Sequence, residues 1–62
     1  GGFSRGERLV RTGGKVLACG KWWQHEKLIP WVGREVTIGL DYWQQEATIG
    51  DTFGNWICNV KA

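Results

Sequence analysis

Glycine recurs at short intervals along this chain, and this spacing constrains the fold more than any other feature of the sequence. Between the glycines lie short stretches rich in β-branched and aromatic residues. Short strands separated by turn residues are typical of all-β sandwiches and barrels. No stretch sustains a helical period for more than one or two turns, so we expect an all-β fold. The glycines that mark turns are Gly13, Gly14, Gly20, Gly33, Gly39, Gly50 and Gly54.

Six strands and one helical turn are predicted from this pattern. Gly13-Gly14 can take the positive φ values that a two-residue hairpin needs, so we expect it to join the first two strands. Pro30 limits the helical piece at 25–32 to about one turn, because proline cannot continue a helix at its interior. Residues 51–54 form a predicted four-residue turn that ends in a glycine. The predicted strands are residues 7–12, 15–19, 21–24, 34–40, 46–50 and 55–60.

Alternation of apolar and polar residues predicts which side chains face the core. The strand at 34–40 is the clearest case, because its apolar residues occupy every second position and its polar residues and glycine lie between them. Side chains at alternate positions of a strand point to opposite faces, so one face is dry and the other wet. The expected inward residues of the last three strands are Val36, Ile38, Leu40, Ala47, Ile49, Trp56, Cys58 and Val60.

The length of 62 residues allows one domain at most. Six strands in so short a chain leave little room for two separated sheets, and closing them into a barrel removes exposed edges. We therefore expect a small six-stranded antiparallel barrel over residues 7–62, with residues 1–6 as a flexible lead outside it. Large aromatic rings can fill the centre of such a barrel, although some must lie near its surface. The tryptophans are Trp22, Trp23, Trp31, Trp43 and Trp56.

The two cysteines, Cys19 and Cys58, leave two interpretations open. They are either buried free thiols that behave as small apolar residues, or partners in one disulfide. A secreted mini-protein of this size usually carries about four or more cysteines. The sequence shows no signal peptide and no apolar run of membrane-spanning length. We therefore expect an intracellular, cytoplasmic protein that does not contact a membrane.

No set of residues in the sequence predicts catalysis. His25 is the only histidine, and we interpret it as a surface residue near the helix start rather than a general base. Asp41, Glu46 and Asp51 are read as carboxylates of turns and strand ends, since a metal site would need more ligands. Gly14-Lys15 lacks the spacing of a phosphate-binding loop. We expect no enzyme activity, cofactor, metal or small-molecule substrate.

Charge is divided unevenly along the chain. Residues 1–21 carry five basic residues and one acidic residue, a balance of +4, whereas residues 22–62 carry three basic and five acidic residues, a balance of −2. The basic part coincides with the predicted first hairpin. Basic residues gathered in this way indicate a contact with phosphates, although a solvated face produces the same pattern.

The order of residues in these strands and turns resembles the C-terminal β-barrel of Mu-type transposases, which belong to the DDE class. That barrel opens with a basic and apolar strand, a glycine turn, a second strand, and then glycine, a basic residue and paired aromatics. The ordered series carries the resemblance, which covers residues 7–62. Its parts are Glu7–Arg11, Gly14–Val16, Gly20–Trp23, Leu28, Val32–Ile38, Asp41, Asp51, Gly54, Trp56–Cys58 and Ala62.

The resemblance implies a non-catalytic accessory domain that contacts DNA backbone without sequence specificity. In that family the barrel follows a ribonuclease-H-like catalytic core, so the expected partners are DNA, this core and other subunits of a bacterial or phage transposase. The residues expected to contact phosphates are Arg8, Arg11, Lys15, Lys21 and Arg34.

Two alternatives to DNA binding stay open. One is a protein-interaction barrel that binds a peptide through exposed aromatics, for which Trp22, Tyr42 and Trp43 are the expected contact patch. The other is a scaffold that docks on a neighbouring domain. Cations that share one face favour DNA, whereas scattered cations beside an exposed aromatic patch favour protein.

Overall fold

The computed structural model describes residues 3–41, 43 and 45–61, and the described chain is predominantly β. As predicted, its elements are strands joined by short turns, with one short helix after the third strand. The helix is a 3-10 helix, Glu26–Trp31. The strands are β1 (Phe3–Leu9), β2 (Lys15–Ala18), β3 (Lys21–Gln24), β4 (Glu35–Asp41), β5 (Glu46–Gly50) and β6 (Trp56–Lys61).

The described strands form two antiparallel sheets. The larger sheet has four strands in the order β1-β4-β5-β6, and the smaller is the β2-β3 hairpin. Between β1 and β2 a single bridge joins Arg11 to Lys15. Gly13 and Gly14 both have positive φ at the turn before β2, as predicted. The predicted hairpin is nevertheless reduced to this one bridge, because β1 pairs along its whole length with β4.

The first strand also begins earlier than predicted. We expected residues 1–6 to lie outside the fold, but Phe3–Gly6 belong to β1 and lie opposite Ile38–Asp41 of β4. β1 ends at Leu9, so residues 10–12 belong to the loop that follows it. Glycine and serine lower strand propensity, but a long partner strand with an apolar inner face supplies the pairing that the segment needs.

The core lies between the two sheets and consists mainly of aliphatic side chains. All of the expected inward residues of β4 and β5 are buried, which confirms the alternation in these strands. Trp23 is the one tryptophan in this buried cluster, and Trp31 packs partly buried against it. The buried cluster is Val10, Val16, Ala18, Trp23, Leu28, Val36, Ile38, Leu40, Ala47, Ile49, Cys58 and Val60.

Trp56 does not join the core, so its assignment to the inward set of β6 was wrong. Cys58 and Val60 are buried as expected, whereas Trp56 is exposed. The register explains the difference: Ile49 lies opposite Cys58, but Gly50 lies opposite Trp56, so Ile57 is an extra residue in β6. Such a bulge interrupts the alternation of side chains, and it directs the tryptophan ring to the surface.

The cysteines also differ in their surroundings. Both are free thiols, Cys58 buried in the core and Cys19 exposed in the turn between β2 and β3. Burial raises the pKa of the Cys58 thiol, although the charge of Lys27 acts in the opposite direction. The expectation of two buried thiols therefore holds for Cys58 alone.

The 3-10 helix is anchored at its start by the loop that precedes β2. Nδ1 of His25 accepts a hydrogen bond from the backbone N–H of Lys27 at 3.0 Å, and the N–H of His25 donates to the carbonyl oxygen of Gly14 at 3.1 Å. His25 is thus the cap of the helix, in keeping with its predicted place near the helix start. Of the apolar residues in this segment, Leu28 is buried whereas Ile29 and Val32 are exposed.

Gly14 lies where the loop and the helix approach most closely. Its φ of 74° is in the left-handed region, which favours glycine. A Cβ atom at this position would lie 2.9 Å from the carbonyl oxygen of His25 and 3.0 Å from the backbone nitrogen of Ile29. Both contacts are with backbone atoms, so neither can be relieved by rotating a side chain.

We predict that Gly14→Ala destabilises the fold more than Gly20→Ala. Gly20 has a similar φ of 72°, but a Cβ atom there would meet nothing within 4 Å. The control should therefore show only the left-handed backbone cost, about 1 kcal/mol. Gly14→Ala should add about 1–3 kcal/mol of overpacking. Urea unfolding followed by tryptophan fluorescence measures both variants, and equal losses would contradict the close approach at Gly14.

Candidate nucleic-acid interface

The β2-β3 hairpin has one face toward the core and one toward solvent. Val16, Ala18 and Trp23 point inward and are buried. The opposite face carries Leu17 and Trp22, which are cross-strand partners. Each of these two side chains is 47% exposed. The neighbouring tryptophans therefore have different roles, since one belongs to the core and the other offers its ring at the surface.

Arg8 connects the end of β1 to this outer face. Its Nε donates to the carbonyl oxygen of Leu17 at 3.2 Å, and its Nη1 donates to the carbonyl oxygen of Glu7 at 2.7 Å. These bonds engage two of the five N–H donors of a guanidinium group. Because both partners are backbone atoms, the charge of Arg8 is held beside the Leu17–Trp22 pair.

A shallow depression forms where the β1 end, the following loop and the hairpin meet. Its lining consists of Arg8, Leu9, Arg11, Leu17 and Trp22. Lys15 borders it, because its Nζ lies 4.7 Å from the centre of the Trp22 ring. We call these six residues the Trp22 surface.

The Trp22 surface combines positive charge with exposed apolar area. Three of its members are cationic at neutral pH, and its other three side chains are large and apolar. A surface of this kind can attract an anion and cover apolar groups at the same time.

Two of the five predicted phosphate contacts lie outside this surface. Lys21 is at the other end of the hairpin, opposite Ala18, with its Nζ 5.0 Å from the centre of the Trp23 ring. The Arg34 guanidinium lies over the Trp31 ring, with its Cζ 4.7 Å from the ring centre. Arg34 lines a separate depression, to which the acidic residues Glu35 and Asp51 also contribute. The structure therefore brings together Arg8, Arg11 and Lys15 of the predicted set.

The predicted aromatic contact patch is not assembled in the described residues. Trp22 belongs to the Trp22 surface. Trp43 is 87% exposed in the β4-β5 connection, where its backbone N–H donates to Oδ1 of Asp41 at 3.0 Å. Tyr42 lies outside the described residues. Trp43 does not line the depression that contains Trp22.

A second exposed aromatic region, which we call the Phe53 turn (residues 51–56), was not assigned a function from the sequence. Phe53 is 89% exposed at its tip, and Trp56 is exposed at its end. The Trp56 Nε1–H donates to Oδ1 of Asn59 at 2.6 Å, and Nζ of Lys27 lies 5.1 Å from the Trp56 ring centre. Recognition of Asp51–Gly54 as a turn already indicated that Phe53 would be exposed.

Asp51 organises the Phe53 turn. Its Oδ1 accepts hydrogen bonds from the backbone N–H groups of Phe53 and Asn55 at 2.9 and 2.8 Å, and its Oδ2 accepts one from Nδ2 of Asn55 at 3.0 Å. These bonds, above all those from Asn55, lower the pKa of the Asp51 carboxyl. The exposed ring of Phe53 thus stands on a turn with a defined backbone.

Two further observations concern the class of protein. Within residues 3–41, 43 and 45–61, no group of three or more His, Cys, Asp or Glu side chains is arranged to hold a metal ion. In the same part of the chain, no helix is long and apolar enough to span a bilayer.

Comparison with known proteins gives no relative. No family model matches the chain, and no curated protein or solved structure matches it either. What the chain binds must therefore be argued from its own geometry.

We predict that Asp51→Asn makes the stability of the protein less dependent on acid pH. The folded-state pKa of Asp51 is below its unfolded value, so its contribution is present above the unfolded pKa, near 3.8, and is lost as the pH falls through the folded pKa. Thermal melting from neutral pH downward should show a smaller loss for the variant than for the wild type. Glu35→Gln, which removes a carboxylate outside this turn, is the control. An unchanged pH profile in Asp51→Asn would contradict the role of these bonds.

Proposed function

We propose that this chain is a non-catalytic accessory domain that contacts the DNA backbone without sequence specificity. The observation that carries the proposal is the grouping of Arg8, Arg11 and Lys15 on one surface, with no acidic residue among the members of that surface. Arginine and lysine bind phosphate oxygens by charge-assisted hydrogen bonds. A cluster of three cations on one surface can contact more than one phosphate of a nucleic acid strand.

The architecture favours backbone contact over base reading in duplex DNA. Many sequence-specific readers place a recognition helix in the major groove. The helix of this chain has six residues, contains Pro30 and contributes Leu28 to the core. Affinity should be weak and sensitive to salt, because each neutralised phosphate contributes about 0.9 to the slope of log K against log salt concentration.

The assignment to a DDE-type transposase is part of the proposal and depends on the resemblance alone. It implies that the domain helps to organise a transposase–DNA complex, with the catalytic core of the parent protein and its other subunits as partners. We also propose that the two sheets close into a barrel. The proposed location is the bacterial cytoplasm, for a transposase of either bacterial or phage origin.

The test compares two double variants that remove the same charge from different places. We predict that Arg11→Ala with Lys15→Ala weakens binding to a short arbitrary duplex and lowers the magnitude of the salt slope by about 1.8, equivalent to two phosphate contacts. Lys21→Ala with Arg34→Ala leaves the net charge equal to that of the first variant but leaves the Trp22 surface intact. NMR titration of the labelled chain at low and physiological salt measures binding and locates the shifted amides.

The two variants separate a specific surface from general charge. Equal weakening in both would indicate that net charge alone drives binding, and would count against the Trp22 surface as the contact. A wild-type spectrum unchanged by duplex at low salt would refute autonomous binding to duplex DNA.

A second function, docking to protein, is favoured by the Phe53 turn. Phe53 is 89% exposed on a turn that Asp51 holds in place, so its ring is available to a partner. Exposed Trp56 at the end of the same turn adds a second ring. Aromatic anchors of this kind often dominate protein interfaces. The partner would be a peptide or a neighbouring domain of the parent protein.

A further inference from the structure

The apolar members of the Trp22 surface have no role in contact with duplex phosphates. Leu9, Leu17 and Trp22 are each about half exposed. They line the same depression as the arginines. In a duplex the bases are stacked inside, and the backbone that faces a protein is polar and charged. A duplex would therefore pair its phosphates with the cations and leave the three apolar side chains exposed to water.

A ligand that suits both parts of this surface carries negative charge at regular intervals and flat apolar groups between the charges. Single-stranded nucleic acid has this combination, because its unpaired bases stack on aromatic side chains while its phosphates meet cations. We propose that the Trp22 surface binds single-stranded nucleic acid in preference to duplex, an inference that rests on the proposed nucleic-acid contact. In this complex a base stacks on Trp22, and phosphates bind to Arg8, Arg11 and Lys15.

The position of Lys15 links the two kinds of contact. Its Nζ lies 4.7 Å from the centre of the Trp22 ring. A cation over an aromatic ring at an exposed site is bound weakly compared with a charge-assisted hydrogen bond to phosphate. When Lys15 turns to a phosphate, the face of the ring that it covered becomes available to a base. Phosphate binding and base stacking therefore assist each other.

Arg8 determines where the backbone of the single-stranded nucleic acid crosses the Trp22 surface. Its bonds to the carbonyl oxygens of Glu7 and Leu17 hold the guanidinium at the border between β1 and the hairpin. Because Leu17 is the cross-strand partner of Trp22, a phosphate bound to Arg8 lies next to the Trp22 ring on which the base stacks. The backbone of Arg11 is held as well, since its N–H donates to the carbonyl oxygen of Lys15 at 2.8 Å.

The experiment measures binding of the whole chain to three probes of equal length at low salt. The probes are a single-stranded oligothymidylate, a duplex, and a single strand of abasic sugar phosphate that keeps the phosphates and lacks the bases. We expect the oligothymidylate to bind about fivefold or more tightly than either of the others, since stacking of one base contributes at least that much. Fluorescence anisotropy of labelled probes provides the affinities.

Variants of Trp22 test the stacking contact directly. Trp22→Leu should weaken oligothymidylate binding about fivefold or more and weaken abasic binding less than that, whereas Trp22→Phe should restore part of the loss of oligothymidylate binding because it keeps an aromatic ring. Trp43→Leu is the matched control, since Trp43 is an exposed tryptophan outside this surface. Thermal melting establishes that each variant is folded, and the abasic probe tests the inference in the wild type without any substitution.

The outcomes distinguish this inference from the proposed function. Equal binding of all three probes, unaffected by Trp22→Leu, would overturn the preference for single strands and leave the backbone contact standing. Absence of binding to every probe would overturn both. Competition by anionic phosphatidylserine vesicles would also overturn the preference for single strands, if the vesicles displace the oligothymidylate and their binding depends on Trp22. The apolar side chains of the Trp22 surface would then contact lipid.

Discussion

The backbone of residues 10–15 is held from two sides, and the arrangement of the whole molecule depends on this segment. On one side the N–H of Val10 donates to the carbonyl oxygen of Arg34, and the N–H of Gly33 donates to that of Val10, each at 2.9 Å. On the other side Gly14 packs against the start of the 3-10 helix. The segment therefore joins the four-stranded sheet, the hairpin and the helix. It also carries Arg11 and Lys15, so the scaffold and the proposed interface depend on the same loop.

The small size of the core explains why so many aromatic rings lie at the surface. Twelve of the described residues form the buried cluster, and Trp23 is the one aromatic residue among these twelve. Its indole N–H donates to the carbonyl oxygen of Ala18 at 3.1 Å, which satisfies the polar end of a buried ring. Aliphatic side chains fill most of the space between the two small sheets. Of the other tryptophans, Trp31 is partly buried against the cluster, and Trp22, Trp43 and Trp56 are exposed. An exposed ring is available for binding, and cations lie over the rings of Trp22 and Trp56.

Local patterns in the sequence predicted the elements well and their pairing poorly. The alternation at Val36, Ile38 and Leu40 fixes a strand and its inner face, because that signal lies within seven residues. The pairing of β1 with β4 joins residues about thirty positions apart, and no local signal reports it. Glycines in the first residues indicated a lead, whereas residues 3–6 pair with the edge of β4 as part of β1. The outward turn of Trp56 follows from one extra residue in β6, which alternation cannot detect.

The candidate site shows the same division between local and tertiary information. The basic residues of the first third were visible in the sequence, but which of them share a surface was not. Lys15 and Lys21 belong to the same hairpin, yet they lie at opposite ends of it and on opposite faces. Trp22 and Trp23 were distinguishable only by the parity of their positions relative to the core. Parity follows from the pairing with Leu17 and Val16, and that pairing requires the turn at Cys19 and Gly20, both of which have positive φ.

The position of the cations matters more than their number. A net charge of +2 gives only a weak attraction for DNA at physiological salt, where screening acts over about 8 Å. Within that distance, charges are effective only if they meet the same ligand. Arg8 is held by backbone bonds and Lys15 by an aromatic ring, so both are placed beside one depression before any ligand arrives. Arg34 lies in a separate depression that Glu35 and Asp51 also line. A chain with modest charge can in this way present one concentrated basic surface, because the tertiary structure brings Arg8, Arg11 and Lys15 together and places Arg34 elsewhere.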